Sequence, residues 1–350
     1  MSGRNTSEQW TGERRLGRSG IAVSALGLGT WAIGGPTSWD GNPIGWGAVD
    51  DEESVRAIRR AVELGVTFFD TAPAYGAGRA ERVLGQALAG HRHEVVLCTK
   101  FGIAVDEDKA ELTGLMLEPD PVWIRAECEA SLRRLGTDVI DLYLCHPSEL
   151  PLEHAPAVRD ILEDLVAEGL IRAHGWSTDN PAGAAIWAEA PHCTLVEHML
   201  NLFTDAPAML ALCEREDLGS VNRSPLAMGL LTGKYREGTR VGPDDIRGEA
   251  PAWLTWFEGG EPSPGYLPRL EAVREVLTRG GRTSAQGALA WVWGRSGRTV
   301  PIPGFRNVAQ VEENAGALRH GPLTAGQMAE ITALLAADAE GIGDPPEAQP

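Results

Sequence analysis

Residues 66–75 read Val-Thr-Phe-Phe-Asp-Thr-Ala-Pro-Ala-Tyr, an apolar run that ends in a carboxylate and continues into a proline turn carrying a phenol. Two further apolar runs, residues 95–98 and 139–145, are followed by a lysine and a histidine. Short apolar runs of this kind predict buried strands. In a parallel barrel the carboxyl ends of the strands share one face, which carries the functional side chains. The sequence therefore predicts one cluster of four groups: Asp70, Tyr75, Lys100 and His146.

The rest of the chain repeats an alternation of strand and helix signals. A helix from residue 52 to 64 is predicted by Asp50-Asp51 as its cap and Gly65 as its stop. Eight strands that are mostly each followed by a helix predict an α/β fold, a closed (β/α)8 TIM barrel. The predicted strands are residues 25–29, 66–69, 95–98, 139–145, 172–176, 195–200, 219–222 and 299–302. The predicted helices are residues 52–64, 79–89, 121–135, 157–167, 207–215, 266–278 and 283–292, with another starting near Asn307.

Segments outside this alternation predict how the two ends of the barrel are covered. Residues 15–23 form a turn between two short apolar stretches, which predicts an N-terminal β-hairpin that plugs the bottom. Three segments are too long for simple connectors and are expected to overhang the carboxyl-end face, where specificity would lie. These segments are residues 34–49, 102–120 and 236–267. We expect one domain over residues 13–340, with disordered tails at 1–12 and 341–350.

Composition restricts the class of protein. The 350 residues carry a net charge of −18, which argues against nucleic acid as a partner. No apolar run approaches the ~20 residues of a membrane span, and the first residues show no secretory signal. The five cysteines include no CxxC pair, so buried, reduced thiols in a cytoplasmic protein are expected. They are Cys98, Cys128, Cys145, Cys193 and Cys213.

The four clustered groups suit the reduction of a carbonyl. A phenol with an ordinary pKa near ~10 is a poor proton donor at neutral pH, but a nearby ammonium lowers that pKa. Lys100 would supply this field while Asp70 holds the lysine, and Tyr75 would donate a proton to an oxygen that becomes anionic. His146 would hydrogen-bond the same oxygen. The set has no nucleophile–base pair and no obvious cluster of metal ligands, so it suits a reaction in which the protein supplies only the proton. The hydride would then come from a nicotinamide cofactor.

Ordered motifs along most of the chain carry a family resemblance. They include Leu26-Gly-Leu-Gly-Thr-Trp31, Phe69-Asp-Thr-Ala-Pro-Ala-Tyr-Gly76, Cys98-Thr-Lys-Phe-Gly102, Asp141-Leu-Tyr-Leu-Cys-His146, residues 224–234 and Ile302-Pro-Gly-Phe-Arg306. From about Leu16 to about Leu335 the chain resembles the aldo-keto reductase superfamily, in particular the bacterial branch with the potassium-channel β-subunit-like reductases. The family's catalytic tetrad of Asp, Tyr, Lys and His matches Asp70, Tyr75, Lys100 and His146, with Tyr75 as general acid.

The resemblance also implies NADP(H) lying extended across the top of the barrel without a Rossmann domain, and no GxGxxG follows a strand here. A helix starting near Asn307 would offer free backbone N–H groups to a phosphate. Arg306 would hold a 2′-phosphate through its planar fork. The residues implied at the nicotinamide end are Thr30, Trp31, Asp70 and Ser177. Those implied beside the pyrophosphate are Ser224, Leu226, Gly229 and Lys234, and those at the adenosine end are Gly304, Arg306, Gln310, Glu313 and Asn314.

Three positions depart from the family pattern around the nicotinamide. Thr178 replaces the usual Asn after Ser177, Glu197 replaces a glutamine, and Arg223 replaces an aromatic residue. A carboxylate accepts but cannot donate a hydrogen bond, and it adds negative charge near the ring. A guanidinium at Arg223 could stack on the ring and pair with Glu197, which would explain two of the changes together.

Other functions and features stay open at this point. One alternative is a barrel that binds NADP(H) mainly to sense redox state or serve a partner, and another is a metal-dependent hydrolase. His91 and His93 have a metal-ligand spacing but precede their strand, so we expect them in a surface loop at the opposite face. His198 is expected in the core, and Trp39, Trp46, Trp253 and Trp256 could form an aromatic wall. The substrate and the oligomeric state are not determined.

Overall fold

A computed structural model of the protein describes residues 10–249, 251 and 253–339. Its strands and helices follow the expected alternation. The strands, in chain order, are β1 (Glu13–Leu16), β2 (Ile21–Ser24), β3 (Gly27–Gly29), β4 (Ser38–Trp39), β5 (Asn42–Pro43), β6 (Phe68–Asp70), β7 (Val96–Phe101), β8 (Ile103–Asp106), β9 (Glu111–Leu115), β10 (Ile140–Cys145), β11 (Ile171–Ser177), β12 (Cys193–Met199), β13 (Gly219–Arg223), β14 (Phe257–Glu258), β15 (Glu261–Pro262) and β16 (Thr299–Pro301).

The helices surround the sheet, and most begin with a cap that the sequence encodes. Asp50 accepts hydrogen bonds from the first turn of its helix, and Asp120 and Asn180 do the same for theirs. The helices are α1 (Asp51–Glu63), α2 (Arg79–Leu88), α3 (Pro121–Leu135), α4 (Ala155–Ala167), α5 (Pro181–Ala188), α6 (Pro207–Arg215), α7 (Ile246–Glu249), α8 (Tyr266–Thr278), α9 (Ser284–Arg295), α10 (Val308–Gly316) and α11 (Ala325–Ala339).

Eight parallel strands form the barrel, in the order β3, β6, β7, β10, β11, β12, β13 and β16. The ends of this sheet meet, because Gly29 pairs in parallel with Gly304 and its N–H donates to Pro303 O at 3.1 Å. The predicted (β/α)8 barrel is confirmed. Each of the eight strands lies where the sequence placed it, because each is an apolar run buried between the barrel interior and the helices.

The N-terminal hairpin closes the bottom of the barrel, as predicted. Strands β1 and β2 pair antiparallel, and Leu16, Ile21 and Val23 pack against the side chains that fill the barrel interior. The turn between them requires a glycine, because Gly17 has a φ of +49° and a Cβ there would lie 2.3 Å from Asp217 O.

The long connections build a cover over the carboxyl-end face. Residues 34–49 contribute β4 and β5, and residues 102–120 contribute β8 and β9, which join in one four-stranded sheet. Residues 236–267 contribute α7 and the β14–β15 hairpin. The Ile246 N–H donates to Gly45 O at 2.8 Å, so the first and third connections are bonded to each other.

Three helices were not predicted from the sequence, namely α5, α7 and α11. The termini lie mostly outside the described residues. Of the predicted tails, residues 1–9 and 341–350 lie outside the described residues, while Trp10 packs against Trp293 and donates to Leu318 O at 2.9 Å. Among the residues that the structure describes, no helix has the length and apolar character needed to cross a membrane.

Candidate active site

The four predicted catalytic side chains meet at the carboxyl end of the barrel. Asp70 ends β6, Lys100 lies near the end of β7, His146 directly follows β10, and Tyr75 lies in the turn after β6. The Lys100 ammonium donates to both oxygens of Asp70 at 2.7 Å and to the Tyr75 hydroxyl at 3.2 Å. The Tyr75 and His146 rings are perpendicular, with centroids 5.8 Å apart. The structure therefore brings these four groups together.

Burial and charge set the protonation states of these groups. Burial raises the pKa of Tyr75, and Asp70 and Glu197 add to this increase, whereas Lys100 lowers the pKa only in part. The expectation of a net decrease in the phenol's pKa is therefore wrong, because the field of one ammonium does not outweigh the desolvation of the phenolate. Tyr75 is held in its protonated form, which is the form that a proton donor requires.

His146 and Lys100 are shifted in opposite directions. Burial, together with the positive charges of Lys100 and Arg223, holds the pKa of His146 well below its usual value, so the imidazole is neutral. Burial disfavours the Lys100 ammonium, but Asp70 and Glu197 outweigh it and raise the pKa of that group well above its usual range. The site thus holds a permanent ammonium between a neutral phenol and carboxylates.

Glu197 is a second carboxylate on this ammonium, a contact that the sequence analysis did not foresee. Its Oε2 lies 3.3 Å from Lys100 Nζ, and its Oε1 accepts from the Ser177 hydroxyl at 3.2 Å. Burial and Glu197 raise the pKa of Asp70 to about 8 against the opposing effect of Lys100. Oxygen and sulfur atoms of Asp70, Cys98 and Glu197 lie within 4.8 Å of one another, a spacing that metal ligands also have, but here Lys100 supplies the positive charge between the carboxylates.

Arg223 does not pair with Glu197, so that part of the sequence hypothesis is wrong. The Arg223 guanidinium forms an ion pair with Asp179, in the loop after β11. Asp179 also accepts from the Met199 backbone N–H at 2.7 Å, which fixes it beside the end of β12. Arg223 remains on the cavity wall. Thr178 is fully buried and caps the turn before α5 by accepting from Asn180 N–H at 3.1 Å.

A cavity of about 2060 Å³ opens over this end of the barrel. It is lined by Tyr75 and His146 and by nearly all of the residues that the resemblance assigns to cofactor binding. Thr30 is the exception, because it is fully buried behind the wall, where its N–H donates to Asp70 O at 2.9 Å. The lining members of the predicted set are Trp31, Asp70, Ser177, Glu197, Arg223, Ser224, Leu226, Gly229, Lys234, Gly304, Arg306, Gln310, Glu313 and Asn314.

One end of the cavity is lined by clustered cations. Burial and the positive charges of Arg247 and Arg306 lower the pKa of Lys234, because several cations converge there. A Cβ on Gly229 would lie 3.7 Å from Lys234 Nζ, in the space in front of the ammonium. The preceding backbone at Ser224, Ala227 and Met228 has positive φ values, a strained course that clusters at ligand sites. These features suit an extended anionic ligand.

The start of α10 differs from the expectation. The helix does begin after Asn307, but its first N–H groups already have partners: the Val308 N–H donates to Glu53 at 2.9 Å and the Gln310 N–H donates to Asn307 at 3.0 Å. The Gln310 side chain accepts from the Arg306 N–H, and the Arg306 guanidinium donates to Ala48 O. The predicted free donors at Val308 and Gln310 are thus occupied by side chains, and the Arg306 guanidinium contributes a cation to this part of the cavity.

Aromatic rings form another part of the cavity wall. Trp31 lies at the centre, with ring centroids 5.6 Å from Trp46, 6.1 Å from Tyr75 and 6.3 Å from Trp253. Of the four tryptophans proposed for this wall, Trp39, Trp46 and Trp253 line the cavity, whereas Trp256 is buried within the third connection.

The three histidines singled out in the sequence lie where they were expected. His91 is exposed at the opposite end of the barrel with its Nδ1 2.7 Å from Glu94, and His93 is exposed nearby. His198 is fully buried, with its Nε2 2.8 Å from Ser220 Oγ.

Sequence reasoning missed Arg247, whose side chain joins two of the long connections. Its guanidinium donates to both oxygens of Asp245, to Met228 O at 3.0 Å and to the Tyr235 hydroxyl at 2.5 Å, and it lies 4.6 Å from the Trp46 ring centroid. No local pattern marks this residue, because its partners come from separate segments.

Comparisons with known proteins agree with this geometry. Residues 25–336 match the model of the aldo/keto reductase family. The chain is 33% identical to an NADH-specific methylglyoxal reductase of Escherichia coli over 314 residues, which covers 87% of this chain and 92% of the relative. It is similar to the structure of a glycerol dehydrogenase of Gluconobacter oxydans, with a TM-score of 0.80, 28% identity and coverage of 96% and 99% of the two chains. A Klebsiella pneumoniae aldo/keto reductase in complex with NADP and acetate has a TM-score of 0.66 at 28% identity, with coverage of 93% and 95%. The protein is therefore a member of the aldo/keto reductase family, an oxidoreductase family acting on small carbonyl compounds.

Proposed function

We propose that the protein catalyses the reversible reduction of an aldehyde or ketone to an alcohol with NADP(H), using Tyr75 as the proton donor. The observation that carries this proposal is the Tyr75 hydroxyl, held 3.2 Å from the Lys100 ammonium on the wall of a cavity that His146 also lines. A bound nicotinamide supplies the hydride.

In this mechanism the carbonyl oxygen binds between Tyr75 and His146. Both groups act as hydrogen-bond donors to it, since the phenol is protonated and the neutral imidazole retains one N–H. As negative charge develops on the oxygen, the Tyr75 proton moves to it, and Lys100 stabilises the resulting phenolate. Asp70 keeps the ammonium in position, and solvent later returns a proton to Tyr75.

The preference for NADP(H) is supported by the cations Lys234 and Arg306 at the phosphate end of the cavity. A guanidinium fork matches a phosphate bidentately. The Escherichia coli relative is named as NADH-specific, so the choice between the two cofactors has to be measured. We expect the Kd for NADPH to be at least about tenfold lower than the Kd for NADH. Arg306→Ala should remove most of that difference. Equal Kd values in the unmodified protein would contradict the NADP(H) assignment.

Turnover tests the reaction itself. Mixed with NADPH and reactive aldehydes such as methylglyoxal and 4-nitrobenzaldehyde, the protein should consume reduced nicotinamide, and Tyr75→Phe should abolish consumption. Tight NADPH binding without turnover of any carbonyl would instead support the redox-sensing alternative. We also propose a cytoplasmic location, which the five free, buried cysteines support.

A further inference from the structure

Glu197 carries a buried charge that the reaction as described does not use. Only 2% of the residue is exposed, and it lies on the cavity wall. Its Oε1 accepts from Ser177, whereas its Oε2 makes no hydrogen bond and lies 3.3 Å from the Lys100 ammonium. A buried carboxylate oxygen without a hydrogen bond is costly, so its retention calls for a compensating interaction.

The Lys100 ammonium is shared by two carboxyl groups, Asp70 and Glu197. The remaining neighbours do not neutralise the second carboxylate: Cys98 and Tyr75 are held protonated because burial raises their pKa values, and His146 is neutral. Arg223 is engaged by Asp179.

The proposed reaction places the nicotinamide ring beside this charge. Reacting atoms must approach to about 3–3.5 Å, so the ring must contact a carbonyl that is bound to Tyr75 and His146. Lys100 contacts both the Tyr75 hydroxyl and the Glu197 carboxylate, which puts the carboxylate at the same point of the wall. The oxidised ring carries a positive charge and the reduced ring is neutral, and charges interact strongly in a water-poor cavity.

Resting on the proposed function, we propose that Glu197 sets the redox balance of the bound cofactor by stabilising the cationic, oxidised nicotinamide over the reduced one. The oxidised cofactor then binds more tightly relative to the reduced cofactor than it would beside an uncharged amide. Within the bound complex, the residue thereby shifts hydride transfer toward NADP⁺ and alcohol, which is the direction of carbonyl reduction.

Equilibrium binding measures this effect without catalysis. NADP⁺ and NADPH are titrated into the purified protein and into Glu197→Gln, and the ratio of the Kd for NADP⁺ to the Kd for NADPH is compared. We expect Glu197→Gln to raise this ratio at least tenfold, which corresponds to about 30 mV in the potential of the bound two-electron couple. Glu197→Asp, which keeps the charge, should retain most of the original ratio. An unchanged ratio in Glu197→Gln would overturn the inference.

Glu149→Gln is the matched control, because it removes the same charge from an exposed position on the cavity rim. Its ratio should stay within about threefold of the original, since water screens exposed charges. If Glu149→Gln moves the ratio as much as Glu197→Gln, the effect is not specific to the buried carboxylate and the inference fails. Binding of neither cofactor would overturn the proposed function and this inference with it, whereas binding of both with an unchanged ratio overturns only the inference.

The variant Glu197→Asp gives a second readout if Glu197→Gln fails to fold. It keeps the carboxylate, so a ratio of Kd values raised tenfold in Glu197→Asp would overturn the inference.

Discussion

Lys100 Nζ lies 2.7 Å from both carboxylate oxygens of Asp70, and both side chains are buried. Two strands that are neighbours in the sheet, β6 and β7, present the pair. Since Glu197 adds a second carboxylate from β12, the ammonium is the positive centre of a buried network rather than one half of an isolated ion pair.

Removing the ammonium should therefore affect stability as well as turnover. Lys100→Met leaves two buried carboxylates without their cation, which should cost about 3–5 kcal/mol of unfolding free energy. Urea unfolding of the variant measures this. The double variant Lys100→Met/Glu197→Gln should recover part of the loss, because one of the two buried carboxyl groups that face the missing ammonium is gone. No recovery would mean that Glu197 does not depend on Lys100 for its compensation.

The rate of carbonyl reduction should be nearly independent of pH below the Asp70 transition. The raised pKa of Tyr75 keeps the phenol protonated, and the lowered pKa of His146 keeps the imidazole neutral, so both donors are ready throughout the neutral range. Single-turnover rates between about pH 6 and pH 7.5 should agree within about twofold. A rate that rises steeply as the pH falls through 7 would show that a protonated imidazole acts as the acid instead.

The hairpin at the bottom of the barrel should be sensitive to a methyl group at one of its two turn glycines. Gly17→Ala places a Cβ 2.3 Å from Asp217 O at a φ of +49°, so it should destabilise the protein by more than about 2 kcal/mol. Gly20→Ala is the control. Its φ of +66° imposes a similar backbone strain on alanine, but its Cβ would meet no close atom, since the nearest, Arg15 Nη1, is 3.9 Å away. In thermal unfolding, the Tm of Gly17→Ala should be well below that of Gly20→Ala. Equal decreases in Tm would contradict the packing of the hairpin against the barrel.

The long connections should depend on Arg247 for their position over the cavity. Arg247→Met removes the hydrogen bonds to Asp245, Met228 and Tyr235. Cofactor binding would then have to provide the free energy that orders these segments, so the Kd for NADPH should rise at least about tenfold. Arg240→Met breaks an exposed pair with Glu261 on the same connection and should leave the Kd nearly unchanged. Equal Kd values for the two variants would show that Arg247 does not hold the cover.

Most of the barrel and its catalytic cluster could be predicted because both depend on local sequence. Apolar runs of strand length give the eight strands, and the topology of a parallel barrel then places Asp70, Lys100 and His146 on one face. Helix α5 could also have been found, since Asn180-Pro181 is a cap followed by a first-turn proline.

Other features depend on contacts between distant segments and could not be derived in this way. Strand β4 pairs with β9 across some seventy residues of chain, which no local pattern encodes. Two carboxylates, Asp179 and Glu197, lie near the end of the strand that carries Arg223. Arg223 pairs with Asp179 because of the course of the loop after β11, which the sequence does not give. The pKa shift of Tyr75 is a balance between burial, which raises the pKa, and the Lys100 ammonium, which lowers it. The direction of the net shift depends on how deeply the site is buried, which the sequence does not give.

The proton transfer from Tyr75 is tested most directly by single-turnover reduction of an aldehyde by the NADPH complex of Tyr75→Phe. The rate constant should be at least about 100-fold below that of the unmodified protein, with the Kd for NADPH within about threefold. Tyr143→Phe removes a buried hydroxyl outside the cavity and should keep the original rate. A Tyr75→Phe rate equal to that of Tyr143→Phe would contradict the assignment of Tyr75 as the proton donor.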